Sequence, residues 1–249
     1  MRVAGVIPAR WESSRFPGKP LVDVGGKPLI QWVFERSSQA SELDEVIIAT
    51  DDERIRECAE SFGAQVAMTK KNHPSGTDRV AEAIHGLDVD AAVNIQGDEP
   101  AISPALINQI AKALKKGDCD MVSAAVLIQD EASVKNPSVV KVVMDAKDYA
   151  LYFSRATIPF FRDTSDVEAI EKQLYYRHIG IYGYTAALLE QIVSHEPSAL
   201  EEAEKLEQLR ALHLGARIKM IKTEEPGPGV DTPEDVPLAI EALKNAGLI

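Results

Sequence analysis

Along the first half of the chain, short β-branched apolar runs alternate with segments whose apolar residues recur at helical spacing. Val3–Pro8, Val46–Thr50, Gln65–Met68, Ala91–Gln96 and Met121–Ile128 read as strands. Between them, Leu29, Ile30, Val33 and Phe34 share one helical face, and Ile55, Ala59 and Phe62 share another ahead of a helix-ending Gly63. Ser103 and Pro104 have the chemistry of an N-cap and a first helical residue, followed by a stripe of Ile107, Ile110, Ala111 and Leu114. Strand and helix in strict alternation predict an α/β fold with a mostly parallel central sheet.

After Ile128 the pattern loosens. Val139–Met144, Ala150–Phe153 and His178–Tyr184 read as extended, a helix is expected over Glu201–Leu214, and Ile218–Lys222 returns to a strand. The expected division is therefore one α/β domain from residues 1–128 and 218–249, with 129–217 as a smaller α+β lobe. Residues 224–229 are too rich in Pro and Gly for either regular element. Thr232 and Asp235 resemble a capping box with Pro233 at the first helical position, and Pro237 moves the regular helix toward Asp235.

Composition narrows what such a fold can do. The chain has 249 residues, 45% of them hydrophobic, enough for a full core. With 39 Asp and Glu against 27 Lys and Arg, the net charge of −12 disfavours nucleic acid as a partner, because that affinity depends on neutralising phosphates over a wide surface. Any anion site must be a local pocket. Cys58 and Cys119 lie on separate predicted elements without metal-type spacing, which fits a reduced compartment. The start lacks a secretory pattern and no apolar run reaches about 18 residues, so a cytoplasmic protein that does not enter membranes is expected.

Against the acidic background, the stretch Val6 to Leu21 gathers Arg10, Arg15 and Lys19 just after the first strand. It contains neither G-x-x-x-x-G-K-[ST] nor G-x-G-x-x-G, so it is not a P-loop and not a dinucleotide fingerprint. Its place is nonetheless the carboxyl edge of the sheet, where open α/β folds bind ligands. Backbone N–H groups there can approach phosphate oxygens while the cations supply charge. A solvated loop with chance cations is the alternative.

A second strand runs into Gln96-Gly97-Asp98-Glu99-Pro100 and offers two carboxylates at the same edge, where Mg²⁺ takes one or two carboxylates plus phosphate oxygens and water. Asp98 is the better candidate, since Pro100 draws Glu99 toward extended backbone. Asp231 supplies another carboxylate from a distant loop, unless it only favours a helix start. In His73-Pro74-Ser75-Gly76-Thr77-Asp78-Arg79, Thr77 is expected to cap a helix whose free N–H groups suit a phosphate or base edge. His178, Gly180, Tyr182 and Tyr184 alternate on a strand and face one side together, and with Arg155, Glu207 and Gln208 they could bind a hydroxyl-rich, carboxylated ligand or form a polar seam between lobes.

Taken together, I-P-A-R-x-x-S-S-R-x-P-G-K-P-L, A-T-D-D, H-P-S-G-T-D-R, N-I-Q-G-D-E-P, Y-F-S-R-A-T-I-P, R-H-I-G-I-Y-G-Y, L-E-Q-L-R and V-D-T-P-E-D occur in order over nearly the whole chain. This set closely resembles the 3-deoxy-manno-octulosonate cytidylyltransferases, the CMP-Kdo synthetases. The resemblance implies a Mg²⁺-dependent transfer of CMP from CTP to the eight-carbon 3-deoxy sugar acid Kdo, releasing pyrophosphate for lipopolysaccharide assembly. It implies a nucleotidyltransferase-type sheet and a homodimer joined through the smaller lobe. By position in the motifs, Arg10, Ser13, Arg15 and Lys19 would hold the triphosphate, with Arg10, Lys19 and Asp98 closest to the chemistry. Ser75, Gly76, Thr77, Arg79, Gln96 and Gly97 would surround the nucleotide, and Asp98 and Asp231 would bind Mg²⁺. Arg155, His178, Tyr182, Glu207 and Gln208 would receive the sugar acid.

One segment departs from the family pattern. Before L-E-Q-L-R the chain reads Leu200-Glu201-Glu202-Ala203-Glu204-Lys205, and carboxylates beside the sugar could pair with the amine of 8-amino-Kdo or belong to a solvated face. A GT-A-type glycosyltransferase is opposed by the triphosphate-facing loop, and a silent nucleotide-binding regulator by Asp98 and Asp231. A nicotinamide dehydrogenase lacks its glycine fingerprint here.

Overall fold

The structure is a computed structural model that describes residues 1–12, 15–224 and 227–249. Ser13 and part of the loop at 224–229 therefore lie outside the described residues. The first half runs β1 (Val3–Ala9), a 3₁₀ turn at Lys19–Leu21, α1 (Leu29–Ser37), β2 (Glu45–Thr50), α2 (Glu53–Ser61), β3 (Gln65–Met68), α3 (Gly76–Ile84), β4 (Ala91–Asn94), α4 (Pro104–Lys116) and β5 (Met121–Leu127). There follow α5 (Glu131–Lys135), β6 (Lys141–Met144), β7 (Ala150–Ser154), α6 (Asp166–Glu171), β8 (Tyr176–Thr185), α7 (Ala186–Ser194), α8 (Ala199–Glu204), α9 (Gln208–His213), β9 (Ile218–Lys222) and α10 (Val236–Asn245).

The main sheet has the order β3-β2-β1-β4-β8-β5-β9, and every strand of it but β8 runs the same way. Alternate residues of β1 feed opposite faces. Ile7 joins a cluster with Ile55, Ile107 and Ile110 under α1, α2 and α4, while Val6 joins one with Val80, Leu188 and Leu209 under α3, α7 and α9. Helices of six to thirteen residues are marginal alone in water, so these packed stripes rather than propensity hold them.

The antiparallel β8 matters most for the site. It pairs with β4 only at Tyr182 to Thr185, so its first six residues overhang the carboxyl end of β4. A two-residue register shift against β5 at Ser123 and Ala124 keeps the parity, and the rings of His178, Tyr182 and Tyr184 stay on one side in consecutive contact. The segment 129–217, read from sequence as a smaller lobe, thus lends β8 to the middle of the main sheet; β6 and β7 lie off its main path.

Two local expectations are corrected. Ser75, not Thr77, caps α3 by accepting from the N–H groups of Thr77 and Asp78, and Thr77 lies buried inside the first turn. The helix expected over Glu201–Leu214 is two helices, α8 and α9, parted at Lys205, whose φ of 53° is left-handed. The capping box of Thr232 and Asp235 is present, and α10 begins at Val236.

Candidate active site

At the carboxyl ends of β1 and β4 the chain forms a cleft of about 340 Å³. Arg10, Arg15 and Lys19 line one wall, Ser75, Gly76 and Arg79 another, and Gln96, Gly97, Asp98 and Asp231 the floor. Local chemistry explains the placement. Gly18 turns the chain back at φ 74° and donates its N–H to the Trp11 carbonyl at 3.0 Å, aiming Lys19 inward. Gly97 lets the β4 loop press on β1, where a Cβ would stand 2.9 Å from the Pro8 carbonyl oxygen. Asp231 reaches the same place because the N–H of Val230 donates to the Asp98 carbonyl at 2.9 Å.

Lys19 Nζ donates to Asp98 Oδ2 at 2.9 Å and to Asp231 Oδ1 at 3.3 Å, and Arg15 donates to Asp231 Oδ2 at 3.2 Å. Two carboxylates therefore converge on one ammonium while both stay partly accessible. Hard oxygen donors in that number suit Mg²⁺ completed by phosphate oxygens and water. Among the described residues no group of three or more His, Cys, Asp or Glu could hold a metal ion. Glu99, the neighbour set aside in the sequence reading, is raised to about 7, chiefly by burial and then by the Asp98 carboxylate, with Arg177 opposing.

A second cleft, of about 470 Å³, shares Gln96, Asp98, Pro8 and Gly76 with the first. The overhang of β8 brings Tyr182 there, and α9 brings Glu207 and Gln208. Thr77 donates its hydroxyl to Glu207, tying α3 to the start of α9. His178 stands behind this wall: Ser123 Oγ and Gln208 Nε2 lie 2.9 and 3.4 Å from its two ring nitrogens, and Phe153 meets its ring edge-on. Burial pushes the imidazole down to about 3, so it is neutral at pH 7. The Tyr182 hydroxyl is pushed up by burial and by the Glu207 carboxylate.

Curated relatives at about half identity decide what this arrangement is. The chain is 52% identical over 237 residues to 3-deoxy-manno-octulosonate cytidylyltransferase of Vibrio parahaemolyticus, covering 93% of this chain and 94% of the relative. A family profile described as Cytidylyltransferase matches residues 4–218. The chain belongs to the 3-deoxy-manno-octulosonate cytidylyltransferase family. The Vibrio vulnificus member is 48% identical, with 96% of each chain covered. A solved CMP:2-keto-3-deoxy-manno-octonic acid synthetase complexed with CTP superposes at a TM-score of 0.92, with 38% identity and coverage of 99% and 100%. A 4-diphosphocytidyl-2C-methyl-D-erythritol synthase from Anaerococcus prevotii, 16% identical over 98% of each chain at a TM-score of 0.65, shares the fold. The chain is a nucleotidyltransferase of this family, with a mostly parallel α/β sheet of the same type.

Within this cytidylyltransferase some residues sit elsewhere than expected. Arg79 lines the first cleft but is only 5% exposed, its guanidinium committed to Asp51 at 2.9 Å and to Thr69. Arg155 is not brought to either cleft: its Nε donates to the Glu204 carbonyl at 2.7 Å and its Nη1 to the Pro137 carbonyl at 3.1 Å. The extra carboxylates of α8 are used inside the fold. Glu201 pairs with Arg210 at 2.6 Å, Glu204 accepts from Ser154 at 2.6 Å and from the Arg155 N–H at 2.9 Å, and Glu202 is exposed. Neither cleft is lined by any of the three. Sequence reasoning missed Asn94 and Lys205 in the second cleft. Tyr184, which strand alternation sets beside Tyr182, lines that cleft with it, and nothing local pointed to Lys205.

Proposed function

We propose that the chain transfers CMP from CTP to the anomeric hydroxyl of Kdo, releasing pyrophosphate for lipopolysaccharide assembly. The observation that carries this reading is that the cation-lined cleft and the hydroxyl-lined cleft meet at Asp98 and Gln96. One cleft can hold a triphosphate and the other a polyol acid, with the reacting groups brought together at the shared wall.

The anomeric oxygen attacks the α-phosphorus while its bond to the pyrophosphate oxygen breaks, so two anions must be brought together. Arg10, Arg15 and Lys19 offset that repulsion; Arg15 and Lys19, paired with Asp231 and Asp98 in this structure, exchange those carboxylates for phosphate oxygens. Asp98 and Asp231, thus released, are the residues that would hold Mg²⁺. When bound, Mg²⁺ supplies charge neutralisation at the phosphates and favours the sugar alkoxide. The N-terminus of α3, capped by Ser75, offers N–H donors to the nucleotide. Glu207, Gln208 and Tyr182 orient the sugar, and His178, being neutral, fixes Gln208 rather than moving a proton.

Plain Kdo is favoured over 8-amino-Kdo because no carboxylate of Glu201, Glu202 or Glu204 reaches the second cleft. Pairing of two copies is supported by the apolar side chains Leu151, Val167, Leu174 and Phe160, exposed on the 129–217 segment, Phe160 by 85%. A cytoplasmic setting is consistent with the free Cys58 and Cys119, and among the described residues no helix is long and apolar enough to cross a membrane. The test is incubation of the purified chain with CTP, Mg²⁺ and a panel of sugar acids. Kdo should yield pyrophosphate and CMP-linked sugar in equal amounts; pyrophosphate release with none of the panel would overturn the reading.

A further inference from the structure

Asp231 follows the Pro- and Gly-rich stretch 224–229, yet a carboxylate that is to hold a metal must be kept at one place. Its side chain is paired with Lys19 and Arg15, the two cations that the reading above turns over to the triphosphate. Once they turn to phosphate, Asp231 has to be held by other means.

The end of the chain supplies those means twice over. Asp235, in the turn that opens α10, accepts at a single oxygen, Oδ2, from the N–H of Asp231 at 2.9 Å, the N–H of Thr232 at 2.8 Å and the Thr232 hydroxyl at 3.1 Å. The backbone of Asp231 is thereby fastened to the head of the helix. The body of α10 is seated by an apolar cluster separate from those on the two faces of the sheet, in which Ala239 and Leu243 meet Leu29 and Trp32 of α1 and Val230, with Phe16 packed against it. Trp32 is fixed there by donating its Nε1–H to the Val24 carbonyl at 2.6 Å. Val230 and Phe16 are the chain neighbours of Asp231 and Arg15, so one cluster supports both partners of the ion pair between them. A helix of ten residues is marginal alone in water, and α10 therefore persists through this packing.

We propose that α10 is a clamp on Asp231, with Asp235 as its positioning residue, so that docking of this helix and seating of CTP with Mg²⁺ stabilise each other. Whatever fixes Asp231 also fixes Val230 and the Asp235 turn, and such coupling is reciprocal. Asp235 itself lines neither cleft, so its effect passes through Asp231. The inference rests on the reading that Asp231 helps to hold Mg²⁺ beside CTP.

Hydrogen–deuterium exchange of the full chain, with Mg²⁺ alone and with CTP and Mg²⁺ together, reads this coupling without turnover. The amides of Ala246, Gly247 and Leu248, which donate to the Ala242, Lys244 and Leu243 carbonyls, should exchange at least about fivefold more slowly with both present and be unchanged by Mg²⁺ alone. In Asp235→Ala that slowing should be lost, and the Mg²⁺ concentration giving half the maximal rate should rise about tenfold or more while KM for Kdo stays within about twofold. Asp235→Asn keeps an accepting oxygen and should restore most of both. Protection of Ser75 to Arg79 by CTP and Mg²⁺ with no change at α10 would overturn the clamp alone. An unaltered Mg²⁺ dependence in Asp235→Ala would overturn the role of Asp235. Protection at neither place would overturn the nucleotide reading beneath the inference, an outcome distinct from the other two.

Discussion

Lys19 and Asp98 form a hydrogen-bonded ion pair, Nζ to Oδ2 at 2.9 Å, across the point where the two clefts meet, and Asp231 approaches the same ammonium at 3.3 Å. Replacing Lys19 by Met would leave two carboxylates facing each other and remove a donor aimed at the triphosphate. The expected result is a fall in kcat/KM for CTP of about 10²- to 10³-fold, with Lys19→Arg retaining part of it. Circular dichroism should be unchanged. Turnover within a few-fold of wild type would count against the role given to Lys19.

Gly97 is required by a close approach. An alanine there would place a methyl 2.9 Å from the Pro8 carbonyl oxygen, so β1 and the Asp98 loop would have to separate. Gly97→Ala should lower stability by about 1–3 kcal/mol and raise KM for CTP. Urea unfolding, read as a shifted midpoint at constant slope, checks the first; a midpoint equal to wild type would contradict the packing argument.

His178 makes stability depend on pH in a defined direction. Its folded pKa is pushed down to about 3 by burial, against 6.5 as the ordinary value. Between these values the unfolded chain binds more protons, so this contribution is complete above about pH 6.5 and is lost as pH falls toward about 3, at up to about 1.4 kcal/mol per pH unit. In His178→Gln that slope should vanish. Urea titrations of both proteins at pH 7, 6 and 5 should show the wild type losing more stability; parallel curves would contradict the assignment.

Metal removal should separate activity from folding. Because no cluster of three metal-ligating side chains forms among the described residues, a chelator should leave the melting temperature of the free protein unchanged. It should nevertheless abolish turnover, and CTP with Mg²⁺ should raise the melting temperature by mass action. A chelator-induced loss of stability without nucleotide would point to a metal held by the protein alone.

The parallel half of the fold was legible because β1, β4 and β5 are almost wholly buried and its helices carry single apolar stripes. β8 was legible as a strand but not in its position. Its insertion between β4 and β5 depends on pairing far apart in sequence, and that insertion brings Tyr182 to the cleft that Asp98 also lines. The break at Lys205 was hidden for a similar reason. No Gly or Pro marks it, and the contacts of Glu201 with Arg210 and of Glu204 with Ser154 accompany the turn. Ser75 and Thr77 are both good caps by chemistry; Thr77 is instead buried and donates to Glu207, 130 residues away. Its place in Y-F-S-R-A-T-I-P suggested Arg155 as a ligand, whereas nearby carbonyls claim it. The two carboxylates Asp98 and Asp231 were readable because both stand where elements end, and the fold brings those ends together.

The most direct test of the account is Asp98→Asn, assayed for Kdo-dependent pyrophosphate release from CTP at saturating Mg²⁺. The account predicts a loss of turnover of at least about 10²-fold with the fold intact. Turnover close to wild type would contradict the claim that the two clefts meet at the site of transfer.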